Sequence, residues 1–152
     1  SEFHTSNISE EENDIKNQTP YHKSKIQDAK RHDYAIQINR YMEEEKPFLD
    51  PNLRLEHLAS KFKTYKHHLS QVFTYEYGQS FTEFINAQRV KYTCSLLNEI
   101  PIEENINMDE LSEACGFNSK ASFYRNFKQI MGCTAGEYRK KIQEEKTHSI
   151  RD

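Results

Sequence analysis

The stretch Phe117-Asn118-Ser119-Lys120-Ala121-Ser122-Phe123-Tyr124-Arg125-Asn126-Phe127-Lys128 decides how the rest of the chain is read. Taken as a helix starting near Asn118 or Ser119, it separates into two faces. Phe123, Phe127, Ile130 and Met131 fall at i, i+4, i+7 and i+8, a stripe expected to enter a core. Ala121, Tyr124, Arg125 and Lys128 fall on the opposite side, with two cations, a phenol and no acid. A small residue flanked by long donors suits a helix pressed into a DNA major groove, where bulk near the axis would block approach. Just upstream, Met108-Asp109-Glu110-Leu111-Ser112-Glu113-Ala114-Cys115-Gly116 reads as a short amphipathic helix closed by glycine. A short helix, a glycine turn and a helix with a basic outer face are the parts of a helix-turn-helix.

The same unit occurs a second time. Leu58, Leu69, Phe73, Gly78, Ser80, Glu83 and Phe84 correspond to Leu111, Phe123, Phe127, Gly132, Thr134, Glu137 and Tyr138, offset by 53 residues for the first pair and 54 for the others. So regular an offset marks structural duplication. In the first copy the core stripe is Leu69, Val72 and Phe73, and the outer stripe is His67, Ser70, Gln71 and Thr74.

A length of 152 residues bounds the chain to one compact unit or two small ones. The mean hydropathy of -0.99 and 30% charged residues, with no apolar run near membrane length, predict a soluble chain without a span. No signal peptide is visible. Ser1-Glu2-Phe3 reads as a cloning remnant, so a piece of a longer protein is expected. The net charge of -3 argues at first against nucleic acid, but its distribution does not. Residues 61–74 contain Lys61, Lys63 and Lys66 and no acid, and residues 119–131 contain Lys120, Arg125 and Lys128 and no acid. Association follows the local field at the contact surface. Cys94, Cys115 and Cys133 are odd in number and lack paired spacing, as in a reducing cytosol, and Cys94 and Cys115 read as small core residues.

Along the chain, residues 1–26 carry the acid run Glu10-Glu11-Glu12 and no hydrophobic period, and read as a flexible linker or tail. Residues 27–99 form the first helix-turn-helix subdomain with a linker helix, 100–146 the second, and 147–152 a frayed end. A helix is predicted from Gln27, with Tyr34, Ile36, Ile38 and Tyr41 nearest the core, stopping before Pro47. Leu55, Leu58, Ala59 and Phe62 face inward on the next. Thr64 is the expected N-cap of a reading helix over 65–77, closed by Gly78. Ser80 with Glu83 opens the long helix to Asn98, which at the helical rise spans about 27 Å. That length suits holding two reading helices roughly one DNA turn, about 34 Å, apart. Asn107 with Glu110 caps the second copy, Gly132 ends its reading helix, and Thr134 with Glu137 starts a last helix to about Glu145. The fold class is all-α, with about seven helices in two helix-turn-helix subdomains joined by a long central helix.

Leu58-Ala59, Leu69-Ser70-Gln71-Val72-Phe73, Gly78-x-Ser80-Phe81 and Ile85-Asn86-x-x-Arg89-Val90 resemble the first half of an AraC/XylS-type DNA-binding domain. Gly116-Phe117-Asn118-Ser119-Lys120-x-Ser122-Phe123-x-Arg125-x-Phe127-Lys128, Gly132-Cys133-Thr134 and Glu137-Tyr138-Arg139 resemble its second-half signature. The resemblance implies transcriptional control through adjacent major grooves of a double-stranded DNA operator. It places His67, Ser70 and Gln71, and Lys120, Tyr124 and Arg125, at base-reading positions. Phosphate contacts are implied for Lys66, Ser119, Ser122 and Lys128. Two departures fall in the first copy: Lys63 stands where a turn glycine is usual, and Arg54 where a helix-opening serine is usual. The link from Ile100 to Ile106 is long and acidic. Tyr21-x-Lys23-Ser24 and the run Glu43 to Pro51 resemble the stretch that follows an amino-terminal sensory part, membrane-embedded in some such regulators. The resemblance thus implies a missing sensory domain, contact of the parent with RNA polymerase, and a cytoplasmic domain whose parent is in some cases membrane-anchored.

The residues leave plainer readings open. Arg125 pairs with a guanine edge or with a surface acid such as Glu113. Arg89 is either a structural clamp or a phosphate ligand. His68 is expected in the inter-helix packing and His67 outside. Adjacent histidines point about 100° apart and cannot share a metal as an i, i+4 pair does. No nucleophile setting and no Gly-rich phosphate loop occurs, so neither enzymatic activity, cofactor nor metal is expected. The competing reading is a helical protein-interaction module whose outer stripes meet an acidic partner.

Overall fold

The computed structural model describes the backbone of residues 20–151 and the side chains of residues 27–150. Among the described residues every regular element is helical. The expected tail at 1–26 falls mostly outside them, and the first helix, α1 (Pro20–Glu45), begins ahead of Gln27. It buries Ala35, Ile38 and Met42, with Tyr34 and Tyr41 alongside. Ile36, expected inward, is 46% exposed. Ile36 and Ile38 stand two residues apart, about 200° around a helix, and cannot face one core. Lys46 turns the chain at φ 49 into a 3-10 turn, Pro47–Leu49, which buries Phe48.

The first helix-turn-helix comprises α2 (Leu55–Lys61) and α3 (Lys66–Val72). α2 turns Leu58 and Ala59 inward, with Leu55 and Phe62 packed beside them. At its start the Arg54 backbone N–H donates to His57 Nδ1 at 3.0 Å, so an imidazole takes up one orphan donor of the first turn. The expected N-cap of α3 is corrected. Tyr65 occupies that position without a side-chain hydrogen bond, while Thr64 Oγ1 sits 3.2 Å from His68 Nδ1. Beyond Val72 the backbone widens into a π turn, Phe73–Tyr77. Gly78 closes it at φ 64, its N–H donating to Thr74 O at 3.1 Å. The Tyr77 hydroxyl reaches α1, 3.0 Å from Ala35 O and 2.7 Å from Asn39 Oδ1. Burial pushes its pKa up to about 12, so it stays protonated and able to donate.

The long helix α4 (Phe81–Glu99) opens on Ser80, whose Oγ accepts the Glu83 N–H at 3.1 Å. It is the shared wall of two cores. Phe84 and Ile85 join the first, with Ile38, Leu58, Leu69, Val72 and Phe73. Val90 and Leu97 join the second, with Leu111, Cys115, Phe117, Phe123, Phe127 and Ile142. Tyr92 packs against both. α5 (Met108–Ala114) is capped by Asn107, whose side chain accepts from the Asp109 and Glu110 N–H groups. α6 (Lys120–Met131) is capped by Ser119 and closed by Gly132 at φ 77. α7 (Ala135–Arg151) begins with a reciprocal capping box. Thr134 N donates to Glu137 Oε1 at 3.2 Å and Glu137 N donates to Thr134 Oγ1 at 3.1 Å. The last helix passes its expected end near Glu145, because residues 137–152 contain neither Gly nor Pro to stop it.

Two arginines brace the connections. Arg89, 8% exposed, donates from Nε to Phe48 O at 2.7 Å and from Nη2 to Asp50 O at 3.0 Å. It is therefore the clamp and not the phosphate ligand. Arg139, 5% exposed, donates to Leu97 O and Ile100 O at 3.0 Å, to Glu104 O at 3.3 Å, and to Pro101 O. Gln143 Nε2 adds a bond to Ile102 O at 2.6 Å. The halves meet where Gly116, at φ 92, lies over the 3-10 turn. A Cβ there would fall 2.3 Å from Phe48 O and 3.0 Å from Arg89 Nε.

Candidate nucleic-acid interface

α6 is held on its inner side by Phe123 and Phe127, both fully buried and packed on α4, α5 and α7. The rest of the expected stripe is corrected: Ile130 is 45% and Met131 39% exposed. The stripe is covered over two turns and comes out in the last one, where Gly132 redirects the chain. With the phenylalanines inside, Ala121, Tyr124, Arg125 and Lys128 form an exposed ridge on the opposite side. Every salt bridge among the described residues involves Arg31, His32, Lys61, Lys66 or Lys120. Arg125 and Lys128 therefore have no acidic partner among them, and the plain reading of Arg125 paired with Glu113 is not what the fold adopts.

The first turn of α6 is built differently. Ser119 Oγ accepts the Ser122 N–H at 3.1 Å, which leaves its hydroxyl proton free to donate. Ser122 is half-buried, and its Oγ and carbonyl both face Asn126 Nδ2, at 3.2 and 2.8 Å. Lys120 Nζ lies 2.8 Å from Asp109 Oδ2 on α5. That hydrogen bond holds the lysine's pKa above its ordinary value.

In the first half, His67, Ser70 and Gln71 on α3 and Thr74 on the π turn are exposed, opposite the buried Leu69, Val72 and Phe73. Lys66 Nζ lies 2.7 Å from Glu56 Oε1 on α2, and this bond holds the glutamate below the usual carboxylate range. His68 is corrected: it is exposed, with its ring centroid 4.2 Å from that of His67 and 5.6 Å from that of Tyr65. His68 lies one position before Leu69 and is turned away from the side that Leu69 buries. Among the described residues no three His, Cys, Asp or Glu side chains are grouped to hold a metal ion. No helix among them is long and apolar enough to cross a membrane.

The fold thus gathers Lys120, Tyr124, Arg125 and Lys128 along one helix and Lys66, His67, Ser70 and Gln71 along another. The two carboxylates that touch these groups, Glu56 and Asp109, escaped the sequence reading. The repeat register holds the signal, since they are 53 residues apart, as are Leu58 and Leu111.

Comparison with known proteins agrees with the fold. A family model described as a helix-turn-helix domain matches residues 58–141. The HTH-type transcriptional regulators YfiF and YtdP of Bacillus subtilis (strain 168) are 31% identical over 98 residues and 28% identical over 90. These alignments cover 64% and 59% of this chain but span 30% and 11% of the relatives' own lengths. The DNA-binding domain of the global transcriptional factor AdpA, solved in complex with a target DNA, shares the fold. It has a TM-score of 0.58 at 20% identity, covering 73% of this chain and 93% of that one.

Proposed function

Because this chain belongs to the AraC-type helix-turn-helix family of transcription regulators, we propose that it binds a double-stranded operator sequence-specifically, α3 and the π turn entering one major groove and α6 the next. The observation that carries the reading is the exposed α6 ridge, where Ala121 leaves room for the groove wall and Tyr124, Arg125 and Lys128 stand beside it with no salt-bridge partner among the described residues. In this reading His67, Ser70, Gln71, Lys120, Tyr124 and Arg125 read base edges. Lys66, Ser119, Ser122 and Lys128 hold phosphates, Ser119 with its free hydroxyl proton and Ser122 through the hydrogen-bond capacity that Asn126 leaves unused. The units 27–99 and 100–146 each carry one reading helix. In the same reading the parent protein is a cytoplasmic-facing bacterial regulator with a sensory part ahead of this domain and contact with RNA polymerase; the greater length of the aligned relatives supports only the presence of a further part.

Selection of duplexes from a random pool tests the function. The chain is expected to enrich a site of two short motifs about one helical turn apart, with affinity falling by a log–log salt slope of about -0.9 per neutralised phosphate. Arg125→Ala should flatten the preference at one base pair, a loss of about 1–3 kcal/mol of discrimination there. Enrichment of no motif, or an unchanged preference at every position in Arg125→Ala, would defeat the base-reading assignment.

A further inference from the structure

The two ion pairs at the foot of the reading helices are one device made twice. Lys66 meets Glu56 at 2.7 Å and Lys120 meets Asp109 at 2.8 Å. Glu56 and Asp109 are 53 residues apart and Lys66 and Lys120 are 54 apart. These are the intervals that relate Leu58 to Leu111 and Leu69 to Phe123. In each half, then, an acid near the start of the supporting helix holds the lysine that opens the reading helix. Lysines solvated at random would have no reason to find the equivalent partner in both copies. Stability does not account for it either, because all four side chains are largely exposed and such pairs contribute little. What remains is the field at the ends of the helices meant for phosphates.

We propose that Glu56 and Asp109 are specificity-determining residues, each occupying its lysine so that phosphates of unselected DNA cannot use it. The inference rests on the DNA-binding reading above. A lysine bonded to a carboxylate releases no counterion when a duplex arrives, and the carboxylate itself repels the backbone. On an unselected duplex the pair stays closed and the lysine contributes nothing. Only a duplex whose base edges hold the ridge in register brings a phosphate, or for Lys120 a base edge, close enough to displace the carboxylate, at the small cost of opening an exposed pair. The effect is to lower non-specific binding more than specific binding, in a chain whose α3 and α6 carry no acid of their own. The lowered pKa of Glu56 and the raised pKa of Lys120 agree with these two groups being ionised near neutral pH.

Salt titrations of binding to the selected duplex and to a random-sequence duplex test the inference on the intact chain, Glu56→Gln, Asp109→Asn and the control Glu110→Gln. Glu110 is exposed on α5 and takes part in none of the described salt bridges, so its substitution removes the same charge without freeing a lysine. Glu56→Gln and Asp109→Asn should each tighten random-duplex binding roughly threefold or more at low salt and steepen its slope by up to about 0.9. The selected duplex should gain less, so the specificity ratio falls, while Glu110→Gln leaves the slope unchanged. Both substitutions are near-isosteric and exposed, and helical signal and melting confirm that the chain stays folded. An unchanged slope, an equal gain on both duplexes, or the same effect from Glu110→Gln overturns the inference while the DNA reading stands. If the intact chain selects no duplex, the DNA reading itself falls and the inference with it.

Discussion

Lys63 and Gly116 occupy the same step of the two halves, 53 residues apart, and both carry the chain through the left-handed region, at φ 53 and 92. In the first half a lysine holds that conformation at a strain of about 1 kcal/mol. In the second, glycine stands there for a different reason: the carbonyl of Phe48 lies where a Cβ would be. The neighbouring step differs as well. Ser119 caps α6 with its side chain, whereas Tyr65, 54 residues earlier, caps α3 with none. The helices end differently too. Residues 73–77 open into a π turn fastened to α1 through Tyr77, while 127–131 remain α-helical with Ile130 and Met131 uncovered. The duplicated fold therefore fixes the backbone at the turn and at the closing glycine and leaves open which residue supplies the turn, while the last turn of the reading helix departs where the first copy is fastened to α1.

That contrast can be broken most sharply at the turn. Gly116→Ala should destabilise the chain by about 3 kcal/mol or more in chemical denaturation, since backbone strain and a backbone collision act together. Lys63→Ala should change stability by less than about 1 kcal/mol. A small effect at Gly116 would mean the halves do not meet at Phe48.

The bracing arginines come next. Arg89→Met leaves Phe48 O without a donor and Asp50 O with only the Leu53 N–H, and Arg139→Met removes the side-chain donor from four carbonyls in the second half, of which Pro101 O keeps the Glu104 N–H. Losses of about 2–4 kcal/mol are expected, with Arg139 the larger, measured as denaturation midpoints at constant slope. Equal, negligible shifts would show that water replaces both.

The caps should move stability in opposite directions. Ser119→Ala is expected to cost about 1 kcal/mol and Tyr65→Ser to gain about 0.5–1 kcal/mol, because only the second half now has its first-turn donor satisfied by a side chain. Thermal melts of the two variants should shift with opposite sign. Smallest of all, Lys63→Gly should gain about 0.5 kcal/mol, as relief of strain is partly offset by a looser unfolded chain. A loss instead would show that Lys63 makes a contact worth more than its strain.

What could be read in the sequence was what depends on near neighbours. Ser80, Asn107 and Thr134 cap, Gly78 and Gly132 stop, and Phe123 with Phe127 face inward, because each depends on a turn of helix and its own residues. The misreadings needed the third dimension. Tyr34, Ile36 and Ile38 looked like one apolar group, yet on a helix Ala35 and Met42 share the face of Ile38 and Ile36 does not. The π turn answers to a tyrosine reaching α1, about forty residues away in sequence. The segments 61–74 and 119–131 are free of acid as text, but Glu56 and Asp109 come across from the supporting helices. Thr64 looked like a cap until His68 proved to be the group beside its hydroxyl.

The connection from Ile100 to Ile106 has the composition of a slack tether, with Pro101, Glu103 and Glu104 in seven residues. It is not slack, because Arg139 and Gln143 fasten the carbonyls of Ile100, Pro101, Ile102 and Glu104, and Lys146 Nζ reaches Asn98 O just before them at 2.6 Å. The waist of the molecule is thus buckled by its final helix. Trimming the carboxyl end back past Arg139 would be felt first in the middle.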